Sequence, residues 1–164
     1  MSAKAPQRRS TCPINASLEL LGDRWSLLIV RDLVFAGLRT YKEFLNGEEA
    51  IATNILADRL TSLQAAGLIT SERDPDDGRK LVYRLTPKGF DLAPALLELG
   101  RWAVKYEAGV RRPEPLRLWE ADRDAFLGRL RKERLHDQPK AASPSGTDNE
   151  PAPDRPRRKL GRTR

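Results

Sequence analysis

Apolar residues between positions 51 and 69 recur at helical spacing. Leu56, Leu60 and Leu63 fall on one face of a helical wheel, and the opposite face is polar or small. That opposite face carries Asn54, Asp58, Thr61 and Ala65. The pattern predicts a helix with one face in a core and another face free to contact a partner.

A hairpin is predicted directly after this helix. Gly67 is a helix stop, and the apolar pair that follows it opens a strand. Residues 75–78 (PDDG) are rich in turn-forming residues and precede a second apolar run. Two basic residues are expected to project from the hairpin, Arg79 and Lys80. A helix that fits a DNA major groove, flanked by such a hairpin, is typical of the winged helix-turn-helix.

Three further helices are predicted before the helix that carries Leu56, Leu60 and Leu63, which would be the recognition helix of such a fold. Thr40 and Glu43 have the spacing of a capping box, and Asp23 is an N-cap for a helix that ends near Gly37. Residues 14–21 form another short apolar helix. The order of helix, helix, helix, recognition helix, hairpin and helix predicts an α+β fold that is mostly helical.

The helix after the hairpin has the pattern of a dimerisation element. Thr86 is an N-cap followed by Pro87, and Pro94 is expected to kink or restart the helix. Apolar residues then recur at alternating steps of four and three, as in a coiled coil, at Leu92, Leu96, Leu99, Ala103, Tyr106 and Val110. The alternative is that this stripe packs on its own domain. Leu97 and Trp102 are available for that packing, so both readings can hold together, and Trp102 is also a candidate dimer residue.

Charge does not by itself indicate nucleic-acid binding. The chain of 164 residues has a formal net charge of +7. Residues 12–110 nevertheless carry 12 Lys or Arg and 14 Asp or Glu, so the excess lies in the terminal segments. Within the core, basic residues concentrate only on or beside the hairpin, at Arg73, Arg79, Lys80 and Arg84.

Four segments are expected. Residues 1–11 are a flexible basic arm, and residues 12–110 are the winged helix-turn-helix domain with its dimerisation helices. Residues 111–135 are one amphipathic helical extension that packs on the domain or on a partner. Residues 136–164 are a disordered, basic tail rich in Pro and Arg, which either adds sequence-independent DNA affinity or only solubilises the protein.

Catalytic and membrane functions find no support in the composition. One cysteine cannot form an intrachain disulfide, and the one histidine, His136, leaves no cluster for a metal ion. The sequence has no glycine-rich phosphate loop and no nucleophile with a histidine partner, so we expect no enzyme and no cofactor. No apolar run approaches the roughly 18 residues that a membrane span needs. We expect a cytoplasmic protein without membrane contact.

The ordered set of these motifs resembles the HxlR family of bacterial winged-helix transcriptional regulators. The residues that carry the resemblance are 12–14 (CPI), 21–25 (LGDRW), 41–44 (YKEF), 56–60 (LADRL), 67–69 (GLI), 82–86 (VYRLT), Gly89 and Trp102. The resemblance implies a homodimer that binds double-stranded operator DNA and controls nearby genes. We expect a repressor.

The exposed face of the recognition helix is expected to read bases. Its candidates are Thr53, Asn54, Asp58 and Thr61. An asparagine suits adenine and an aspartate suits the amino group of cytosine. The alternative is that this face is merely solvated. Arg59 lies toward the edge of the buried face, where it either contacts a phosphate or pairs internally with a carboxylate such as Glu43 or Asp32.

The hairpin is expected to contribute affinity. Arg73, Arg79 and Lys80 are placed to approach backbone phosphates or a minor groove, which fixes position without reading sequence. The alternative is a charged tip that only keeps the protein soluble.

Cys12 is a candidate redox sensor. It precedes Pro13 at the start of a helix and follows Arg8 and Arg9, where the helix dipole and the cations favour the thiolate. In some members of the family that the chain resembles, a cysteine at the matching place senses oxidants or electrophiles, so the resemblance implies a small-molecule or electrophilic effector. The alternative is a small, half-buried apolar residue.

A second functional hypothesis is a winged helix that contacts proteins and has no specific DNA binding. The acidic balance of residues 12–110 permits it, and the amphipathic segment 116–130 would offer the surface.

Overall fold

The computed structural model describes residues 10–135, which form eight α-helices and a two-stranded sheet. The helices are α1 Pro13–Leu21, α2 Arg24–Arg31, α3 Tyr41–Leu45, α4 Thr53–Ala65, α5 Pro87–Phe90, α6 Ala93–Tyr106, α7 Glu114–Ala121 and α8 Arg123–Leu135, and the strands are β1 Ile69–Arg73 and β2 Leu81–Leu85. The predicted order and the mostly helical α+β class are confirmed. Helix α2 continues as a π-helical segment, Asp32–Ala36, and stops at Gly37, whose φ is 70°.

The core is built on the predicted face of α4. Leu56, Leu60 and Leu63 are buried there, against apolar residues of α2 and the sheet. The buried residues of those neighbours include Ile29, Val30, Leu33, Leu68, Ile69 and Leu85. Burial of the leucine face leaves the opposite face of α4 in solvent, which is the arrangement that a recognition helix requires.

The hairpin is antiparallel, with Ile69 opposite Leu85 and Arg73 opposite Leu81. The segment before α3 extends it, because Thr40 forms an isolated bridge with Val82 and the Tyr83 backbone N–H donates to the Arg39 carbonyl at 2.7 Å. The wing is therefore held by the same residues that begin the helix-turn-helix. The sequence pattern did not predict this third strand segment, because two paired residues are too few to show alternation.

The predicted helix starts are confirmed. Asp23 accepts backbone hydrogen bonds from Trp25 and Ser26, and Thr40 and Glu43 form the capping box. Thr86 caps α5, which ends at Phe90, so α6 begins anew with Pro94 in its first turn. Proline is tolerated in that turn, because the N–H that it lacks has no acceptor within the helix.

The amphipathic extension is two helices, not the single helix that was predicted. The chain breaks at Asp122, whose φ is −154° and whose carboxylate accepts a hydrogen bond from the Ala125 backbone at 3.0 Å. Both helices pack on the domain and contribute Leu116, Trp119, Phe126 and Leu130 to its core.

A side chain from the last turn of α8 caps the C-terminal end of the π-helical segment. The Arg134 guanidinium donates to the carbonyl of Val34 at 2.7 Å and to that of Phe35 at 3.4 Å. These carbonyls lie at a helix end, where partners within the helix are missing. The extension thus supports the end of α2 in addition to covering the core.

The expected N-terminal arm, apart from positions 10 and 11, and the expected tail 136–164 lie outside the described residues. Within residues 10–135, no helix is both long and apolar enough to cross a lipid bilayer. In the same range, no three His, Cys, Asp or Glu side chains come together as a group that could hold a metal ion.

Candidate nucleic-acid interface

The outer face of α4 is exposed at every position where base contacts were predicted. Thr53, Asn54, Asp58 and Thr61 all lie in solvent. The helix begins after Ala52 without a side-chain cap, and the Tyr41 hydroxyl donates to the Thr53 carbonyl at 2.6 Å. This bond ties α3 to the first turn of α4. The Thr61 hydroxyl donates back to the Ala57 carbonyl at 2.9 Å.

Arg59 is paired within the protein, but not with the predicted partners. Its guanidinium lies 3.2 Å from an Asp23 carboxylate oxygen and also donates to Asp58. The predicted pairing with an internal carboxylate is confirmed, but the partner is Asp23 and neither Glu43 nor Asp32. Glu43 is held by the backbone N–H groups of the capping box, and Asp32 is paired with Arg31. Arg59 therefore joins the recognition helix to the N-terminus of α2.

The Asp23 carboxylate caps the N-terminus of α2 and also pairs with Arg59 of α4. Burial of its carboxyl opposes ionisation, but hydrogen bonds from the Ser26 side chain and backbone, from Trp25 and from Arg59 lower its pKa below the ordinary value of 3.8. The carboxylate is therefore the form that the fold stabilises.

We expect Asp23→Ala to lose about 1 kcal/mol of unfolding free energy at pH 7, because a helix cap of this type contributes that much. The folded-state pKa is lowered, so the stabilisation is present above the unfolded-state pKa and is lost as pH falls through the folded-state value. Urea unfolding of the wild type and the variant at pH 7 and at about pH 3 measures the difference. An equal deficit at both pH values would mean that the carboxylate charge is not the cause.

A second ion pair holds the other end of α2. The Arg31 guanidinium binds both carboxylate oxygens of Glu49, at 2.5 and 2.9 Å, and Glu49 lies in the loop that leads into α4. The hydrogen bond from Arg31 lowers the pKa of Glu49. Together with the Asp23–Arg59 pair, it links each end of α2 to the recognition helix or to the loop before it. Sequence reasoning missed this pair, because its partners are far apart along the chain.

The wing places its basic residues in two different environments. Arg73 donates to the Gly78 carbonyl at 2.5 Å, which closes the turn. Arg79 and Lys80 extend into solvent with 92% and 61% of their side chains exposed, and each lies 3.3 Å from Asp77. Hydrogen bonds from the Arg79 backbone and side chain and from Lys80 lower the Asp77 pKa. The carboxylate thus orients both cations and offsets part of their charge.

Arg84, the fourth basic residue beside the hairpin, is engaged across the sheet. Its guanidinium lies 2.5 Å from Glu72, and 17% of its side chain is exposed. It is therefore much less accessible to a nucleic-acid backbone than the two cations at the tip.

A groove runs between α3 and the wing. Its cationic lining comprises Lys42, Arg79 and Lys80, and Tyr41 and Leu81 add apolar surface. Glu43, already held by backbone donors, and Asp74 complete its charged lining. Lys42 was missed at the sequence level, because a single lysine in a short helix gives no pattern.

The α6 stripe divides into a packed part and an exposed part. Leu92 and Leu96 rest against the core, Ala103 is half-buried and Leu97 is buried. Three larger side chains remain open to solvent, with exposures of 53% for Leu99, 55% for Trp102 and 60% for Tyr106. The Trp102 ring contacts the Tyr106 ring of the same helix in a tilted arrangement, with 5.8 Å between the ring centroids. Val110 was assigned to this stripe but lies beyond the helix, which ends at Tyr106.

Cys12 is the N-cap residue of α1 and is exposed. The alternative of a half-buried apolar residue is therefore wrong. Its backbone N–H donates to the Ser10 hydroxyl at 3.3 Å, and its thiol is open to solvent-borne reagents.

The surface required by the protein-contact hypothesis is mostly absent. Leu116, Trp119, Phe126 and Leu130 face the core, and of the large apolar side chains in 116–130 only Leu118 is exposed. This segment is an internal support of the domain.

Sequence comparison identifies relatives that are named HTH-type transcriptional regulators. An HTH-type transcriptional regulator of Synechocystis, itself uncharacterized, is 32% identical over 88 residues, which cover 54% of this chain and 64% of the relative. One from Mycobacterium tuberculosis, also uncharacterized, is 36% identical over 107 residues, covering 64% and 65% of the two chains. The chain thus spans slightly less than two thirds of these relatives. YodB of Bacillus subtilis, an HTH-type transcriptional regulator, is 31% identical over 96 residues, covering 58% and 85%.

Solved structures share the fold. PA1607, crystallised as a candidate transcription factor, superposes with a TM-score of 0.57 at 36% identity and covers 65% of this chain and 72% of its own. The reduced form of YodB from B. subtilis gives 0.50 at 29% identity, covering 60% and 97%. The redox regulator HypR in its oxidised form gives 0.53 at 25% identity, covering 58% and 98%.

The family model for the HxlR-like helix-turn-helix matches residues 20–110, which run from the end of α1 through α6 and include the recognition helix and the wing. More than half of the chain lies within this match, and the sequence relatives described above are named HTH-type transcriptional regulators. The chain therefore belongs to the HxlR-like helix-turn-helix family of transcriptional regulators.

Proposed function

We propose that the protein is a homodimeric repressor that binds operator DNA with α4 in the major groove. The observation that carries the proposal is the exposed polar face of α4, which is backed by three buried leucines and flanked by a groove with three cations. Occupation of a promoter by such a dimer excludes the polymerase.

Base reading is assigned to the first turns of α4. Asn54 presents an amide that can both donate to and accept from adenine, and Thr53 lies beside it. Asp58 is oriented by Arg59, so it is positioned to accept from a cytosine amino group. Arg59 acts in this scheme as a positioning residue that holds Asp58 and α2 together.

Phosphate contacts are assigned to the groove. Arg79 and Lys80 reach beyond the wing tip, and Lys42 lies across the groove from them. Their contacts add affinity without sequence discrimination. Arg73 contributes indirectly, because its bond to the Gly78 carbonyl shapes the turn that presents Arg79 and Lys80.

Dimerisation is assigned to the exposed part of α6. Large apolar side chains lie exposed on α6, at Leu99, Trp102 and Tyr106, and also on α1, at Ile14 and Leu18. Exposed apolar patches of this kind mark sites of protein–protein contact. A two-fold pairing would place two recognition helices in successive major grooves, about 34 Å apart along the duplex.

An unbiased selection of genomic DNA fragments with the reduced protein, at about 150 mM salt, tests the function. We expect enrichment of a two-fold-symmetric site, and Asn54→Ala should weaken binding to it by about 1–3 kcal/mol per half-site while relaxing the preference at one base pair. Gln64→Ala, at the exposed C-terminal end of α4, is the matched control and should retain the preference. In vitro transcription from a promoter that contains the site should fall on addition of the protein. Enrichment without symmetry, or none, would contradict the proposal.

We further propose that Cys12 senses oxidants or electrophiles. Its exposure at the N-terminus of α1 supports this role, as does the similarity to HypR, which is named a redox regulator. Diamide or quinone treatment should weaken operator binding by the native protein and leave Cys12→Ser unaffected. Electrophoretic mobility shift at matched protein concentrations measures the effect. Equal loss of binding in both proteins would remove the role of Cys12.

A further inference from the structure

An apolar cleft separates α2 from α6 and the start of α7. It has a volume of about 360 Å³, within the range of small-molecule sites. The side chains that line it come from three segments of the domain and include Leu27, Leu28, Phe35, Leu96, Leu99 and Leu116. Two prolines, Pro113 and Pro115, close one side.

The chemistry of the lining selects the ligand. Arg31 is the one charged side chain among the described lining residues, and its guanidinium is already bound by Glu49 and Asp32. A charged ligand would therefore lose its hydration in the cleft without gaining a partner. An uncharged ring system would gain from burial against leucine and phenylalanine side chains. We propose that this cleft binds a small, uncharged, hydrophobic ligand of aromatic type.

Gly100 supports this occupant. It lies in the interior of α6, where glycine weakens a helix relative to alanine, and it lines the cleft. A Cβ atom at this position would meet no atom within 4 Å, so crowding inside the domain does not require the glycine. The missing side chain keeps open the space that the ligand occupies.

The position of the cleft couples the ligand to DNA binding, a consequence that rests on the proposed function. On one side lies α2, whose Asp23–Arg59 and Arg31–Glu49 contacts hold α4 and its leading loop. On the other side lies α6, where Leu99 belongs both to the cleft and to the exposed stripe. A ligand between the two helices changes how the recognition helix is set relative to the dimer element. Operator affinity then changes by roughly fivefold or more on ligand binding.

The test uses N-phenylnaphthylamine, a neutral dye that fluoresces in apolar sites, and its charged analogue anilinonaphthalene sulfonate. The full chain should bind the neutral dye at one site per protomer. Its affinity for the sulfonate should be lower by about tenfold or more. Gly100→Leu fills the cleft and should lower the affinity for the neutral dye by about tenfold or more. Gly128→Leu is the matched control, because Gly128 is also helical and a Cβ there likewise meets no atom within 4 Å.

Leu27→Trp fills the cleft from α2, away from the exposed stripe, and should reproduce the loss seen with Gly100→Leu. Circular dichroism and light scattering establish that each variant is folded and report its mass. Unchanged dye binding in both filled variants would overturn the proposal. If Gly100→Leu abolishes the dimer and the wild-type dimer binds no dye, the second copy fills the cleft and the proposal is wrong.

Operator affinity is measured separately, with and without the dye. Two results together support the whole inference: the wild type binds the dye and Gly100→Leu does not, and the dye shifts the operator affinity of the wild type. Operator binding without any dye site would overturn the inference and leave the proposed function standing. A dye site in a protein that selects no DNA would overturn the proposed function and the coupling, while the site itself would stand.

Discussion

Trp102→Glu is expected to convert the proposed dimer to a monomer and to lower operator affinity by about 100-fold or more, because linked half-site contacts multiply affinity to that extent. Trp102 is 55% exposed and stacks on Tyr106, so the fold of the protomer does not depend on its burial. In a dimer the same side chain would be covered by its partner, and tryptophans in that situation carry a large share of binding energy. In the dimer contact, the carboxylate introduced by Trp102→Glu would lose its hydration without gaining a cation or a hydrogen-bond donor.

Sedimentation or light scattering measures the mass, and mobility shift measures the affinity for the selected site. Ala125→Glu is the control, because it adds the same charge at an exposed helical position on α8. It should leave both mass and affinity unchanged. A Trp102→Glu protein that remains dimeric would place the dimer contact elsewhere on the molecule.

Gly89→Ala is expected to destabilise the domain by about 3 kcal/mol, at the upper end of the usual cost of overpacking. Gly89 is buried in α5, and a Cβ atom there would lie 2.0 Å from the Leu68 carbonyl oxygen and 3.0 Å from its carbon. These are backbone atoms at the start of the wing, where the Leu68 carbonyl accepts a hydrogen bond from the Thr86 N–H at 3.0 Å. Relief of the clash must separate α5 from the sheet.

Thermal unfolding at a fixed protein concentration checks this prediction. We expect the Tm of Gly89→Ala to fall by about 10 °C. Gly100→Ala, another glycine in a helix, should keep or raise the Tm, because its added Cβ meets open space and alanine favours the helix. Equal melting of Gly89→Ala and the wild type would show that the junction of α5 and the wing relaxes at little cost.

Several features could be read from short stretches of sequence. The leucine spacing of α4, the caps at Asp23, Thr40 and Thr86, and the helix restart at Pro94 were all predicted and are confirmed. Each depends on periodicity or on hydrogen bonds that span three or four residues. The exposed face of α4 followed from the same pattern, since burial of its leucines leaves the opposite face in solvent.

Pairings between distant residues could not be read in this way. Arg59 binds Asp23 across 36 positions, and Glu43 and Asp32 offered the same charge at the sequence level. Local backbone donors engage Glu43, and that competition becomes visible only when all the partners are in place. Likewise, the break at Asp122 divides a segment whose apolar pattern fitted one helix.

The sequence by itself therefore determined the elements of residues 13–106, their order and which face of α4 is left in solvent, because each follows from local backbone preferences and the burial of apolar side chains. Only the tertiary structure decided which charged groups pair and where the π-helical end of α2 is closed, by an Arg134 side chain from 100 residues away. It also decided that α2 and α6 leave an apolar cleft between them. These outcomes depend on the packing of distant segments, whose relative positions no local pattern specifies.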